Sequence, residues 1–172
     1  MRGSQWLWLP VAALSTSAYA ATYLSVEQAQ QAIFPGATLF AGSVALSDAQ
    51  QQRIKQAAGS VMPRPAIKFW RVEHGGFFIV DEVLGKHELI TYAVGLDADG
   101  SIKQVEILDY RESYGYEIRN EHWRRQFIGR RYGVPLRMDH EIQNISGATL
   151  SCTHLTDGVK RLLALYEVAL RD

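Results

Sequence analysis

The feature that most restricts the fold is a change of hydrophobic period in the middle third of the chain. "AIKFWRV", from Ala66 to Val72, is rich in β-branched and aromatic residues, and His74, Gly75 and Gly76 follow it as a turn. "FFIVDEVLG" and "LITYAVGLD" repeat the strand composition. "DADG", Asp97 to Gly100, then makes a hairpin turn into "IKQVEILDY", where Ile102, Val105 and Ile107 are the apolar residues. Consecutive strands joined by short turns predict an antiparallel meander rather than alternating strand–helix units. That order argues against a doubly wound nucleotide-binding sheet, and neither G-x-G-x-x-G nor a P-loop is present to cradle a dinucleotide or ATP.

Helices are expected on both sides of this block. Ser25 precedes "VEQAQQAIF" with Gln28 at the capping-box position, and Pro35-Gly36 ends the segment. Ser47 opens "SDAQQQRIKQAAG" in the same way, with Gln50 in the box and Gly59 as the stop. "MPRP", Met62 to Pro65, reads as a connector. After the strands, Asn120 can cap a helix carrying Trp123, Phe127 and Ile128 that Gly129 ends. In the last helix Leu155, Val159, Leu162, Leu163, Tyr166 and Leu170 form one apolar stripe, with Lys160, Arg161 and Glu167 off it. The predicted class is α+β: an antiparallel sheet flanked by helices, ending in a C-terminal amphipathic helix. A chain of 172 residues suits one domain.

The first twenty residues form a separate unit. Arg2, the apolar run Trp6–Leu14, and Ala18 and Ala20 in A-x-A spacing read as a secretory signal peptide cleaved after Ala20. The apolar run is shorter than the roughly twenty residues of a spanning helix. The expected division is therefore signal peptide 1–20 and a single domain 21–172, periplasmic or otherwise extracytoplasmic, and membrane-tethered if cleavage does not occur. The single Cys152 cannot form an internal disulfide and reads as a small buried helix residue. Equal numbers of acidic and basic residues leave no field for nucleic acid. Arg124-Arg125 and Arg130-Arg131 read as a solvated helix face and the turn after it.

Little else in the chain carries chemistry on its own. The five histidines lack metal-ligand spacing. Ser151, His154 and Asp157 lack the G-x-S-x-G context of a hydrolase and read as ordinary surface helix residues. "NIS" at Asn144 is a nominal glycosylation sequon, a match common by chance, and a glycan there would crowd the segment that follows. That segment, "SGATLSC", has two readings. Ser146, Thr149 and Ser151 sit at the mouth of a helix whose first N–H groups need partners. Ser146 or Thr149 capping the helix is the simpler account. A phosphate at the positive end of the helix dipole is the other, since Gly147 and Ala148 leave room for its approach.

A resemblance bears on that choice. "SGATLS" resembles the S/T-G-A-T-x-S/T signature of the FMN-binding domain family, found in flavoprotein subunits of sodium-pumping quinone reductase and Rnf-type electron-transport complexes. "RESYGYEI" resembles the family's E-T-P-G-x-G/E loop through Glu112, Gly115 and Glu117, with Tyr114 where Pro is usual. "YAVGLDADGSIKQVEIL" matches the hairpin before that loop, so the similarity runs from about Gly76 to Tyr166. Gln143 stands where the family often has Asp.

The resemblance implies FMN joined through a phosphoester to Thr149, with Ser146, Gly147, Ala148 and Ser151 completing the motif and Glu112, Gly115 and Glu117 near the flavin. It implies a flavin transferase that uses FAD as the modifying partner. It further implies electron transfer with a membrane redox complex or an extracytoplasmic acceptor, as a flavoprotein or oxidoreductase subunit rather than a stand-alone enzyme. Tyr110 and Tyr116 are candidates for stacking on the ring or for core packing; Trp123 is expected in the core. The rival expectations are a non-catalytic FMN-binding or assembly module, and a structural exported domain without flavin.

Overall fold

The computed structural model describes residues 23–59 and 66–171. The expected signal peptide, and the connector Met62–Pro65, lie outside the described residues.

The capping boxes form as expected. In α1 (Val26–Ile33) the Gln28 N–H donates to Ser25 Oγ at 3.2 Å, and the Ser25 N–H donates to the Gln28 side chain at 2.8 Å. Ser47 and Gln50 repeat the exchange at the start of α2 (Asp48–Ala58), which Gly59 ends with φ at 72°. Between these helices lies β1 (Leu39–Ala45), a strand that periodicity does not announce. Its sequence, LFAGSVA, is short, half small residues, and mostly exposed at the sheet edge. What makes it a strand is its register with β2 (Ala66–Val72), from Leu39 opposite Val72 to Ala45 opposite Ala66.

Strands β3 (Phe77–Leu84), β4 (Leu89–Leu96) and β5 (Ile102–Tyr110) complete a five-stranded antiparallel sheet in the order β1-β2-β3-β4-β5. The meander and the α+β class are as the sequence predicts. Both faces of the sheet are covered, so β3 and β4 feed two cores by simple alternation. Ile79, Tyr92 and Val94 face the main core with α2 and the C-terminal helix, while Phe78 and Ala93 pack with Ala29, Ile33 and Phe34 of α1. Burial on both sides explains why these strands read as nearly continuous apolar runs.

After β5, a 3-10 turn (Tyr116–Arg119) leads into α3 (Glu121–Arg124), a single turn capped by Asn120 and followed by a second 3-10 turn (Arg125–Phe127). Trp123 and Phe127 are buried, as expected. Arg124 is not the solvated residue that its run suggested. α3 packs on β5, and Arg124 makes a 3.0 Å ion pair with the nearly buried Glu106.

The final helix, α4 (Thr149–Leu165), continues as a π turn through Leu170, and every residue of the predicted stripe is buried. Two expectations fail here. α4 packs against α2 as well as β3 and β4, and its buried surface is wider than one stripe. Ser151 and Arg161 are interior, each 3% exposed, instead of on the surface: Arg161 faces β3 and Ser151 faces Tyr110 at the end of β5. Arg161 reaches across to β3, where its guanidinium pairs with Asp81 through Nε at 2.9 Å and through Nη2, which also donates to the Glu82 carbonyl at 3.0 Å. The Tyr92 hydroxyl donates to the same Asp81 oxygen at 3.0 Å. Burial, then the Asp81 charge, pushes that phenol well above its ordinary range. Cys152 is fully buried as expected, and burial raises its thiol. Among the described residues no helix is long and apolar enough to cross a membrane.

Candidate functional site

The hydroxyls of "SGATLSC" do not cap α4. The residue at the cap position is Ala148, with φ −123° and ψ 21°, and no side chain there accepts a hydrogen bond from the helix. The expected capping role of Ser146 or Thr149 therefore does not hold. Thr149 Oγ1 instead accepts from Asn144 Nδ2 at 3.0 Å, Ser146 is exposed, and Ser151 is buried in hydrogen-bonding contact with the Tyr110 hydroxyl. The helix mouth keeps N–H groups without a side-chain acceptor, at its positive end. Gly147 makes the turn into it at φ 83°, and a Cβ there would meet nothing within 4 Å.

A second segment is braced against this one. Gly115 sits at φ 80° and ψ 24°, and a Cβ on it would overlap the Ala148 side chain and come within 2.9 Å of the Tyr110 hydroxyl. Tyr110 donates its hydroxyl to the Tyr114 carbonyl and is itself buried, so its role here is to hold the loop. Burial is the main reason that its phenol is raised. The small residues of the two motifs thus fit one another across the cleft base. Tyr116 is 61% exposed on the adjoining 3-10 turn and does not line the cleft.

Glu112 turns back toward the β3–β4 connection. One of its carboxylate oxygens accepts from the His87 N–H at 2.6 Å and the Glu88 N–H at 3.0 Å. Partial burial pushes this carboxyl up, but the N–H groups of His87, Glu88 and Lys86 outweigh it, and the net pKa is lowered from 4.5. A lowered folded-state pKa stabilises the turn above pH 4.5, and that contribution is lost as pH falls through the folded value. Replacing Glu112 with Ala is expected to speed amide exchange at His87 and Glu88 several-fold at neutral pH. Acidifying the wild type through the lowered folded pKa should reduce the protection factors of the same two amides, measured against their intrinsic exchange rates at each pH. Unchanged protection in both cases would remove the carboxylate from this role.

Held in this way, Lys86 and His87 line a cleft of about 380 Å³ together with Glu112, Ser113, Tyr114 and the segment Gly147 to Ser151. Tyr114 is 80% exposed and Leu150 48%, so the cleft mouth has an apolar, aromatic border. The lining combines the Lys86 ammonium and a helix mouth, suited to an anion, with apolar and aromatic surface suited to a planar group. Of the residues that the resemblance singled out, Thr149, Gly147, Ala148, Ser151 and Glu112 line this cleft. Gly115 lies beneath it, Ser146 sits at its edge in sequence, and Glu117 is exposed outside the lining. Lys86 and His87 were not singled out by sequence, because no periodicity or motif marks a binding residue in a hairpin turn. Gln143 presents its backbone to the interior: its carbonyl accepts from Trp123 Nε1 at 2.7 Å, and its N–H donates to Gln126 Oε1 at 2.7 Å.

No curated protein matches the chain. Residues 85–164 match the family model of the FMN-binding domain, an interval that opens at the β3–β4 turn and ends near the close of α4. Every residue lining the cleft falls within it. The uncapped helix mouth, the Lys86 ammonium in the same cleft and the apolar border fit a phosphorylated flavin, and residues 85–164 belong to the FMN-binding domain family.

Proposed function

We propose that the chain is an exported electron-transfer flavoprotein that carries FMN as a phosphoester on Thr149. The observation behind this is the state of the Thr149 hydroxyl: on the wall of the cleft, exposed, and beside a helix mouth that no side chain caps. Attachment needs FAD and a flavin transferase. The Thr149 oxygen forms a bond to the FMN-side phosphorus of FAD, the bond from that phosphorus to the bridging oxygen breaks, AMP leaves, and the hydroxyl proton is released. The helix N–H groups and Lys86 counter the phosphate charge, and Tyr114 and Leu150 offer an apolar bed for the ring. Bound FMN supplies one- or two-electron transfer. Gly147 and Ala148 keep the approach to Thr149 open.

Export follows from the signal-like segment 1–20, with 21–172 as the mature domain, and it gives the covalent bond its purpose. A carrier outside the cytoplasm cannot readily replace flavin lost by diffusion. Its partners on this reading are the flavin transferase, then a membrane redox complex or an extracytoplasmic electron acceptor.

Co-production with a flavin transferase and mass spectrometry of the mature chain tests the assignment. The peptide containing Thr149 should gain the mass of FMN less one water, and Thr149→Val should abolish the gain. An unmodified wild-type peptide under those conditions would overturn covalent attachment and leave a module that binds FMN by contacts alone. Flavin that survives denaturation of the Thr149→Val protein would move the attachment to another residue.

A further inference from the structure

We propose that Asn144 is the positioning residue for the Thr149 oxygen, holding it in place both as a free hydroxyl and as the ester oxygen. The inference rests on the reading of Thr149 above. Its starting point is one hydrogen bond and one orphan. Asn144 Nδ2 donates to Thr149 Oγ1 at 3.0 Å, reaching across the Gly147 turn, while Asn144 Oδ1 is buried with no partner. A buried acceptor without a donor is unfavourable, so packing alone does not account for an amide here.

The two states of the Thr149 oxygen need different partners. The free hydroxyl has a proton to place and needs an acceptor. The ester oxygen has no proton and can only accept. A carboxamide serves both. A half-turn of the Asn144 side-chain amide brings Oδ1 to the hydroxyl proton, and the reverse turn brings Nδ2–H to the ester oxygen. Leucine has the size and neither function; aspartate at neutral pH only accepts.

The strut beneath Asn144 is fixed. The Gln143 backbone is tied to Trp123 and Gln126 at both its carbonyl and its N–H, and the Ala148 N–H donates to the Ile145 carbonyl at 3.0 Å. With both flanks held, the amide can set where the Thr149 oxygen points. Asn144 takes no proton from the reaction, because a carboxamide is too weak a base. The hydroxyl proton leaves as the bond to phosphorus forms and AMP departs, and Asn144 only orients the oxygen that attacks.

The test is the initial rate of flavin attachment from FAD by a flavin transferase, read by intact mass and by in-gel flavin fluorescence across pH. Asn144→Leu is expected to slow attachment about tenfold or more, as for a misplaced nucleophile. Asn144→Asp should restore most of the rate at neutral pH and keep it as pH falls through the carboxyl range, since the protonated acid, like the amide, both donates and accepts. Once loaded, the Asp variant should melt below the loaded wild type, since a carboxylate then faces a phosphodiester. Attachment to Asn144→Leu at the wild-type rate would overturn the positioning role while leaving Thr149 as the acceptor. So would an Asp variant as slow as Leu at every pH, a comparison that also covers a Leu variant that folds poorly. No attachment to the wild type, in the same assay, overturns the Thr149 reading itself and Asn144 with it.

Discussion

Arg161→Met is expected to destabilise the domain by about 3–5 kcal/mol, the usual consequence of leaving one member of a buried ion pair without the other. In a chain of this size that is a fall in Tm on the order of 10 °C. Arg161 and Asp81 are each 3% exposed, so water does not take over the role of the lost partner. The neighbouring Tyr92 hydroxyl is fully buried on the same Asp81 oxygen. Urea unfolding in a Thr149→Val background measures this without a contribution from bound flavin. A triple change, Arg161→Met with Asp81→Leu and Tyr92→Phe, should recover part of the loss by removing the ion pair and the phenol together, while the Glu82 carbonyl still loses its Arg161 donor. A single-variant loss below about 1 kcal/mol, the range of solvated pairs, would show that the pair is not isolated from water.

Gly115→Ala is expected to reduce flavin attachment at Thr149 by about a hundredfold, because a displacement near 1 Å at a reacting group has effects of that order. The added methyl would overlap Ala148, the residue that starts α4 immediately before Thr149. It would also impose a side chain at φ 80°. Gly147→Ala separates the two effects. It has the same left-handed backbone at φ 83°, yet its Cβ would meet nothing within 4 Å. It should therefore lose stability from strain but retain more of the attachment rate. Adding Ala148→Gly to Gly115→Ala should restore part of the rate by removing the overlapping atom. Equal rates for the two single alanine variants would mean that the contact between the motifs does not position Thr149.

The same residues mark where sequence suffices and where it does not. Ser25, Ser47 and Asn120 start their helices by hydrogen bonds to residues two or three positions away, so the local sequence contains the whole interaction. The strands β2 to β5 have side-chain periods and turns legible in the same way. β1 does not, since its strand character comes from pairing with β2 across a helix. Arg161 looked solvated because helical periodicity assigns one buried stripe, whereas α4 meets a second helix and the sheet.

At the site, residue types determined what chemistry was available: a hydroxyl at Thr149, small neighbours at Gly147 and Ala148, and the motif resemblance that made FMN the expected ligand. Whether Thr149 was spent as a helix cap could not be read from the motif, because a cap and an attachment site use the same atoms. The folded structure decided it, through one local bond and contacts between segments distant in sequence. Gly115 packs on Ala148, Glu112 sets the turn that brings Lys86 and His87 to the cleft, and the Thr149 oxygen bonds to Asn144 while Ala148 occupies the cap position. Local hydrogen bonds and side-chain periods are properties of neighbours along the chain, whereas a cleft is a property of segments that meet only after folding.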